Sequence, residues 1–362
     1  MAGLVNPDPG FWRGRRVLVT GHSGFKGSWL GMWLARLGAM PLGLSQPPQD
    51  AAESERLGFL ADAMPGIACD VRDIRATQEA LERLAPEIVL HLAAQPLVRR
   101  SYRDPRLTFE TNVMGTLNLL EAIRAQQSVR SVVIATTDKC YENREWSWPY
   151  RETDTLGGHD PYSASKACTE ILAASWRSSF AASSDRPIAL ATARAGNVVG
   201  GGDWAQDRLV PDAVRAFSNG QPLAVRNPAA TRPWQHVLDA LCGYLLLAER
   251  LHTDGNRFAE AWNFGPDSGA ERPVSEVLGA LAGLWGDAAQ WQNDAASGPH
   301  EANRLALDSS KACQRLGWRP RLDFEAAIGL TARWYGRHRL GTPAAELIAA
   351  DIQSYENGAL RS

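Results

Sequence analysis

The chain has 362 residues, of which 44% are hydrophobic and 22% charged, enough apolar material for one large core or two lobes sharing one. A formal charge of −2 supplies no field to gather nucleic acid or an anionic membrane, so neither partner is expected. Thirteen Trp, with no long polar low-complexity tract, argue against extensive disorder.

Cys69, Cys140, Cys168, Cys242 and Cys313 are odd in number, and no pair has metal-ligand spacing. They read as reduced thiols of a cytosolic protein, with no metal expected. The opening residues 1–16 lack the apolar core of a signal peptide, and no apolar run is long enough to cross a bilayer.

Arg16 to Thr20 (RVLVT) reads as a buried strand running into glycines. From Gly27, the residues Trp29, Leu30, Trp33, Leu34 and Leu37 recur at helical spacing and stop at Gly38. A second strand is predicted near Leu42 to Ser45, a third over Ile67 to Asp70, and a helix near Ile74 to Leu84. Strand Ile88 to Leu92, a long helix near Leu107 to Arg124, strand Ser131 to Thr136, a helix from about Tyr162 and strand Ile188 to Arg194 follow. Strands alternating with helices predict an α/β fold with a doubly wound parallel sheet of Rossmann type, because parallel neighbours need crossover connections. After Asn197 the segments shorten and Pro and Gly increase. The expected division is a dinucleotide-binding domain over 1–195 and a smaller lobe over 196–362 that closes on the carboxyl ends of the strands. The stretch 232–260 is left open to a return to the first domain.

Between the first strand and helix lies Gly21-His22-Ser23-Gly24-Phe25-Lys26-Gly27. Its glycines permit a tight turn and close approach of backbone N–H groups to a pyrophosphate, and the helix N-terminus adds a positive end. Gly21, Ser23, Gly24, Phe25 and Gly27 are therefore candidate cofactor contacts. The second strand ends in Ser45-Gln46-Pro47-Pro48, with neither an acid for a ribose 2′-hydroxyl nor an Arg for a 2′-phosphate. NAD and NADP are not separated by this local chemistry. Asp70 can bond an adenine amine or cap the next helix.

Tyr162 and Lys166 stand four apart at a predicted helix start, hence on one face. A phenol with a pKa of about 10 needs a neighbouring cation to act as a base near neutrality, and Lys166 is the candidate. Arg99, Arg100, Arg103 and Arg106 form a local basic cluster that reads either as a solvated edge or as an anion contact. His91 reads as a satisfied strand-end histidine.

Gly21 to Gly27, Leu92-Ala93-Ala94-Gln95, Asn112 and the Tyr162/Lys166 pair together resemble the extended short-chain dehydrogenases/reductases, the NAD-dependent epimerase/dehydratase family, over nearly the whole chain. Within that family, Thr136 to Trp146, Ala193 to Trp204 and Arg232 to Val237 resemble the branch of the sugar-nucleotide 4,6-dehydratases that acts on CDP-glucose. The resemblance implies bound NAD, contacted also by Asp70, Val71, Leu92, Ala93, Ala94, Tyr162 and Lys166. It implies a CDP-glucose substrate held by Gln95, Asn112, Asn197, Arg208 and Arg232 in a mainly nucleotide-sugar-binding second lobe, and a homodimer pairing the Leu107 and Tyr162 helices, or a higher homo-oligomer.

It further implies that Tyr162 takes the 4-hydroxyl proton, that Thr137 bonds the same oxygen, and that Asp138, its pKa raised by burial, is the acid expelling the C6 hydroxyl. Lys139 stands where most such dehydratases carry a Glu as the C5 base. Either it handles that proton as a neutral amine, or it stays charged and stabilises the enolate. A proton-handling role is the reading preferred here. Trp204 and Trp234 stack on the base or fill the core, and His300-Glu301 resembles a family segment near the C-terminus. A 4-epimerase shares the Tyr–Lys pair but needs no acid beside Thr137. A non-catalytic NAD-binding protein has no need of either residue of the pair.

Overall fold

The computed structural model describes residues 5–181, 187–267, 271–286, 289–294 and 304–360. Seven parallel strands form the central sheet: β1 (Arg16–Thr20), β2 (Met40–Ser45), β3 (Gly66–Ala68), β4 (Ile88–His91), β5 (Ser131–Ala135), β6 (Ala189–Ala195) and β7 (Ala261–Phe264). Their spatial order is β7-β6-β5-β4-β1-β2-β3, so the chain winds outward from β1 in both directions. This is the expected doubly wound sheet. His300 and Glu301 lie outside the described residues.

Several of the helices begin where an Asp side chain closes the first turn. Between β1 and β2 runs α1 (Phe25–Arg36), which buries Trp29, Leu30, Trp33 and Leu34 on one face of the sheet. Between β2 and β3, α2 (Ala51–Leu60) is capped by Asp50, and before β4, α3 (Ile74–Leu84) is capped by Asp73. The cap of α3 thus falls to Asp73 rather than to Asp70, because only Asp73 sits directly before the first turn, where its Oδ1 accepts from the N–H groups of Arg75 and Ala76. On the opposite face of the sheet, α3 packs with α4 (Gly115–Ala125) and α5 (Pro161–Trp176) through Leu81, Leu119, Ile123, Ala173 and Trp176. At the start of α5, Pro161 occupies the first turn and Asp160 accepts from Ser163 N–H at 3.0 Å.

The long helix predicted from Leu107 to Arg124 is broken. A short helix, Pro105–Phe109, leads into a widened π turn at Glu110–Met114 before α4. The break has a local cause. Asn112 Nδ2 donates to Gln95 O at 3.1 Å and to Ser165 Oγ at 2.9 Å, while its Oδ1 accepts from Gln95 N–H at 2.8 Å. The Asn112 carbonyl also accepts from the hydroxyls of Thr116 and Thr169. Those bonds replace part of the regular helical ladder.

The second half departs from the sheet through α6 (Leu209–Ser218) and then returns to it. Helix α7 (Val237–Asp254) is buried along most of its length and shares the α1-side core, and β7 adds a strand beside β6. Among the described residues, no helix is long and apolar enough to cross a membrane.

Between sheet and α5 lies a buried ion pair. Glu170 Oε2 accepts from Arg194 Nη2 at 2.8 Å and from Thr192 Oγ1 at 2.7 Å, and Oε1 accepts from Thr136 Oγ1 at 2.5 Å. Arg194 Nη1 donates to Tyr141 Oη at 2.8 Å, whose hydroxyl donates onward to Asn263 Oδ1 at 2.7 Å. Removing one member leaves an uncompensated charge, so Arg194→Met is expected to lower unfolding free energy by about 3–5 kcal/mol in urea denaturation. A Glu170→Leu/Arg194→Met double variant should lose less than the single one, and an equal or larger loss would show that the pair is not the interaction at stake.

Candidate active site

A cleft of about 1490 Å³ opens at the carboxyl ends of the strands, with β1, β4, β5 and β6 below and the α6 segment opposite. That exceeds the usual 300–1,000 Å³ of a single small-ligand pocket and leaves room for two ligands meeting end to end. The structure brings to its wall Gly21, Ser23, Gly24, Phe25, Gly27, Asp70, Val71, Leu92, Ala93 and Ala94 along one arm. Thr137, Lys139, Tyr162 and Lys166 line the middle, and Gln95, Asn197, Arg208 and Arg232 also face it. Of the expected residues, only Asn112 and Asp138 are absent from the wall.

The glycine loop has the shape of a cradle. A Cβ at Gly27 would lie 2.2 Å from the Gly21 carbonyl oxygen, and one at Gly21 would lie 2.8 Å from Ala93 N, with φ of +72° besides. Gly24 caps α1 without any side-chain hydrogen bond, so the first-turn N–H groups are left to the cleft. These residues fit a pyrophosphate. Farther along, Asp70 is gripped by Arg72 at 2.5–3.1 Å; burial raises its pKa, but the Arg72 guanidinium and N–H outweigh that and hold it below the ordinary carboxylate range.

The catalytic candidates lie within one network. Thr137 Oγ1 donates to Asp138 Oδ1 at 3.0 Å, and Lys139 Nζ donates to the same oxygen at 3.1 Å and to Asn197 Oδ1 at 3.1 Å. Asp138 is wholly buried behind Thr137 and Lys139, and its Oδ2 has no partner among the described residues. Gly196 makes room for it: a Cβ there would stand 3.3 Å from Oδ2 and 2.8 Å from Pro233 Cγ.

Burial pushes the Tyr162 phenol up to about 12; the Thr137 hydroxyl and Arg208 pull it down, while Asp138 adds to the rise. Burial lowers Lys166 to about 8 against the opposing pull of Glu170, and its Nζ donates to Ala135 O at 3.1 Å. Tyr162 and Lys166 thus share one face of α5 at the cleft. Arg208 is the cation whose field helps the phenol ionise in the protein alone.

Asn112 belongs behind the wall, where its amide joins the Gln95 backbone to Ser165 on α5. It is buried and does not line the cleft. The Gln95 side chain is likewise engaged, with Leu97 and Thr108. Arg208 pairs with Asp203 at 2.8 Å, and Arg232 Nη1 donates to Thr231 O at 2.8 Å; both guanidinium groups still face the cleft. His91 is satisfied between Thr20 Oγ1 at 2.7 Å and Thr116 Oγ1 at 3.0 Å, and burial, then Lys166, holds it neutral with a pKa of about 3. Trp234 is packed into the core, with its Nε1 donating to Arg272 O, and Trp204 packs on Tyr335; both also line the cleft. In the basic cluster, Arg99 and Arg103 reach Asp207, Arg106 reaches Glu110, and Arg100 lines the cleft mouth.

Three participants were not singled out from the sequence. Arg56 Nε donates to Ser23 O and Nη1 to Gly202 O, tying the glycine loop to the second half. Glu170 stands one turn beyond Lys166, a spacing visible in the sequence whose partner Arg194 was not. Lys26 lines the cleft from the first turn of α1.

Residues 18–331 match the model of the GDP-mannose 4,6 dehydratase family. The chain is 47% identical over 331 residues to a CDP-glucose 4,6-dehydratase of Salmonella typhimurium, covering 91% of this chain and 92% of that one. Among solved structures, the dTDP-glucose 4,6-dehydratase DesIV of Streptomyces venezuelae with NAD bound superposes with a TM-score of 0.77 at 27% identity, over 90% of this chain and 98% of that one. The UDP-glucose 4-epimerase of Thermus thermophilus in complex with NAD gives 0.76 at 27% identity, over 89% and 99%.

The cradle makes a direct prediction. Gly27→Ala forces the loop off the Gly21 carbonyl and should weaken NADH binding by about tenfold or more, read from nucleotide fluorescence. Unchanged affinity in a folded variant would show that the loop does not hold the dinucleotide.

Proposed function

The chain belongs to the GDP-mannose 4,6-dehydratase family, and from that premise we propose that it converts CDP-D-glucose to CDP-4-dehydro-6-deoxy-D-glucose and water with NAD as a bound cofactor. The observation that carries this reading is one cleft that joins a glycine cradle and the Tyr162–Lys166 face to the Thr137–Asp138–Lys139 network. The activity of the Salmonella relative, nearly half of whose aligned residues are identical, supports CDP-glucose as the substrate.

The glycine cradle of Gly21, Gly24 and Gly27 would hold NAD, which would supply an acceptor for the sugar's C4 hydride and a donor for its return at C6. The chain's own residues manage the protons. Tyr162, as phenolate, takes the proton of the 4-hydroxyl, and the Thr137 hydroxyl holds the same oxygen. A ketone at C4 acidifies the C5–H bond, and Lys139 is assigned that proton because its Nζ lines the cleft. Loss of the C6 hydroxyl needs an acid, which is assigned to Asp138. Asp138 sits behind the wall, so its proton crosses by way of Lys139 Nζ or Thr137 Oγ1, the two groups that join its Oδ1 to the cleft. Asn197, Arg208 and Arg232 are assigned to the substrate diphosphate, for which the planar guanidinium fork offers paired bonds. Asp203 orients Arg208 for that task.

A domain division at about residue 195, with 232–260 returning to the sheet, places the diphosphate between the halves. Five free thiols support a reducing compartment, the cytosol. A homodimer is proposed through α4 and α5, supported by Met114 beside α4 and Ile171 on α5, which are 48% and 57% exposed. Sedimentation velocity should show twice the 39.4 kDa chain mass, and a single-chain mass at micromolar concentration would overturn the dimer.

CDP-glucose deuterated at C4 should yield a product lighter by one water that carries the label on its terminal methyl. An isobaric product would mean epimerase chemistry. Asp138→Asn should slow water loss by about 10²–10⁴ while C4 oxidation persists, seen as transient nicotinamide absorbance. Equal loss of both steps would remove Asp138 from the acid role.

A further inference from the structure

Lys26 is a cation that the proposed mechanism does not use. It is the second residue of α1, flanked within the loop by Gly24 and Gly27, and its side chain lines the cleft. Its Nζ lies 5.8 Å from the centre of the Tyr244 ring on α7. No hydrogen bond to Nζ forms among the described residues, whereas Lys139 donates two, Lys166 donates one and Arg208 has its ion pair. The charged groups acting on it are Arg208 at the start of α6, Asp138 and Lys139 in the turn after β5, and Lys166 on α5. All four belong to the end of the cleft where Tyr162 and Lys166 meet the sugar; Asp70 and Arg72, at the other end, are not among them.

We infer that Lys26 sets the preference of this site between oxidised and reduced dinucleotide, its ammonium disfavouring the cationic oxidised nicotinamide relative to the neutral reduced one. The inference rests on NAD being the cofactor. It follows from charge alone. The oxidised ring carries a positive charge that hydride acceptance removes, and a fixed like charge in a poorly solvated pocket repels the first form and not the second. With Lys26 charged, withdrawal of hydride from the sugar is favoured; with Lys26 neutral, its return is favoured.

The switch falls in an accessible range. Burial lowers Lys26 to about 7, Arg208 adds to the lowering, Asp138 opposes it, and Lys166 and Lys139 add smaller parts. As pH rises through that value the ammonium is lost, repulsion falls and the oxidised form tightens. Lys166 titrates later, at about 8, and contributes a second change in the same direction.

The test is the dissociation constant of the whole protein for NAD⁺ and for NADH, by calorimetry between pH 6 and pH 8. In the wild type the ratio of the two constants, oxidised over reduced, should fall on the order of tenfold across that range. In Lys26→Met the ratio should already be low at pH 6, leaving only the later change from Lys166. In Lys26→Arg, charged throughout, it should stay high past pH 7. Should the ratio in Lys26→Met, or in Lys26→Arg, follow the wild type across the range, the assignment is overturned. A wild type that binds neither nucleotide overturns the cofactor reading itself.

Discussion

Glu170 and Arg194 meet at 2.8 Å inside the molecule, each less than 5% exposed, and the arrangement of the catalytic face follows from their need for one another. A buried carboxylate or guanidinium is tolerated only when paired and hydrogen-bonded on its remaining atoms. Here Thr136, Thr192 and Tyr141 bond both carboxylate oxygens and one guanidinium nitrogen, so a single pair ties α5 to β6 and to the turn that follows β5. Tyr162 and Lys166 lie two turns and one turn before Glu170 on the same helix. Their distance from Thr137 and Asp138 is therefore set by an interaction that no substrate touches. Burial alone would raise the Glu170 pKa, but Arg194 and the two threonine hydroxyls hold it below its ordinary value, so the pair stays charged.

The reacting end of the cleft is crowded with cations. Arg208, Lys166, Lys139 and the carboxylate of Asp138 all act on Lys26, and the four cations come from four separate stretches of chain. A substrate with two phosphates suits such a field, and so does chemistry in which negative charge develops on oxygen. The same crowding has a cost for a buried amine, since burial and like charges each make protonation harder. Both effects lower Lys26, whereas burial alone lowers Lys166, against the pull of Glu170. Arg56 and the Asn112 bonds hold the two sides of the cleft in register without facing the chemistry themselves.

The parts legible in the sequence were those with local causes. The β1–loop–α1 unit could be read because strand periodicity, glycine spacing and the Trp29–Leu37 helical pattern are all written within about twenty residues. The Tyr162–Lys166 face was readable because four residues make one turn. Other outcomes depended on geometry between distant residues. Asp70 and Asp73 look alike as caps until the backbone places only one of them before α3. The helix through Asn112 looks continuous until Gln95 and Ser165 draw its amide aside. Asp138 reads as a cleft acid, yet the turn after β5 folds it under Lys139. Lys26 stands in the glycine loop with nothing in the local pattern to single it out.

Periodicity, turn chemistry and motif spacing thus determined the doubly wound sheet, the glycine loop between β1 and α1 and the shared helix face of Tyr162 and Lys166, because each is specified over a few turns of chain. Only the tertiary structure decided which of those residues reach the cleft and in what charge state. Burial is the largest cause for Tyr162, Lys166 and Lys26 alike. The charges acting on Lys26 come from residues more than a hundred positions along the chain, so a local stretch of sequence does not specify them.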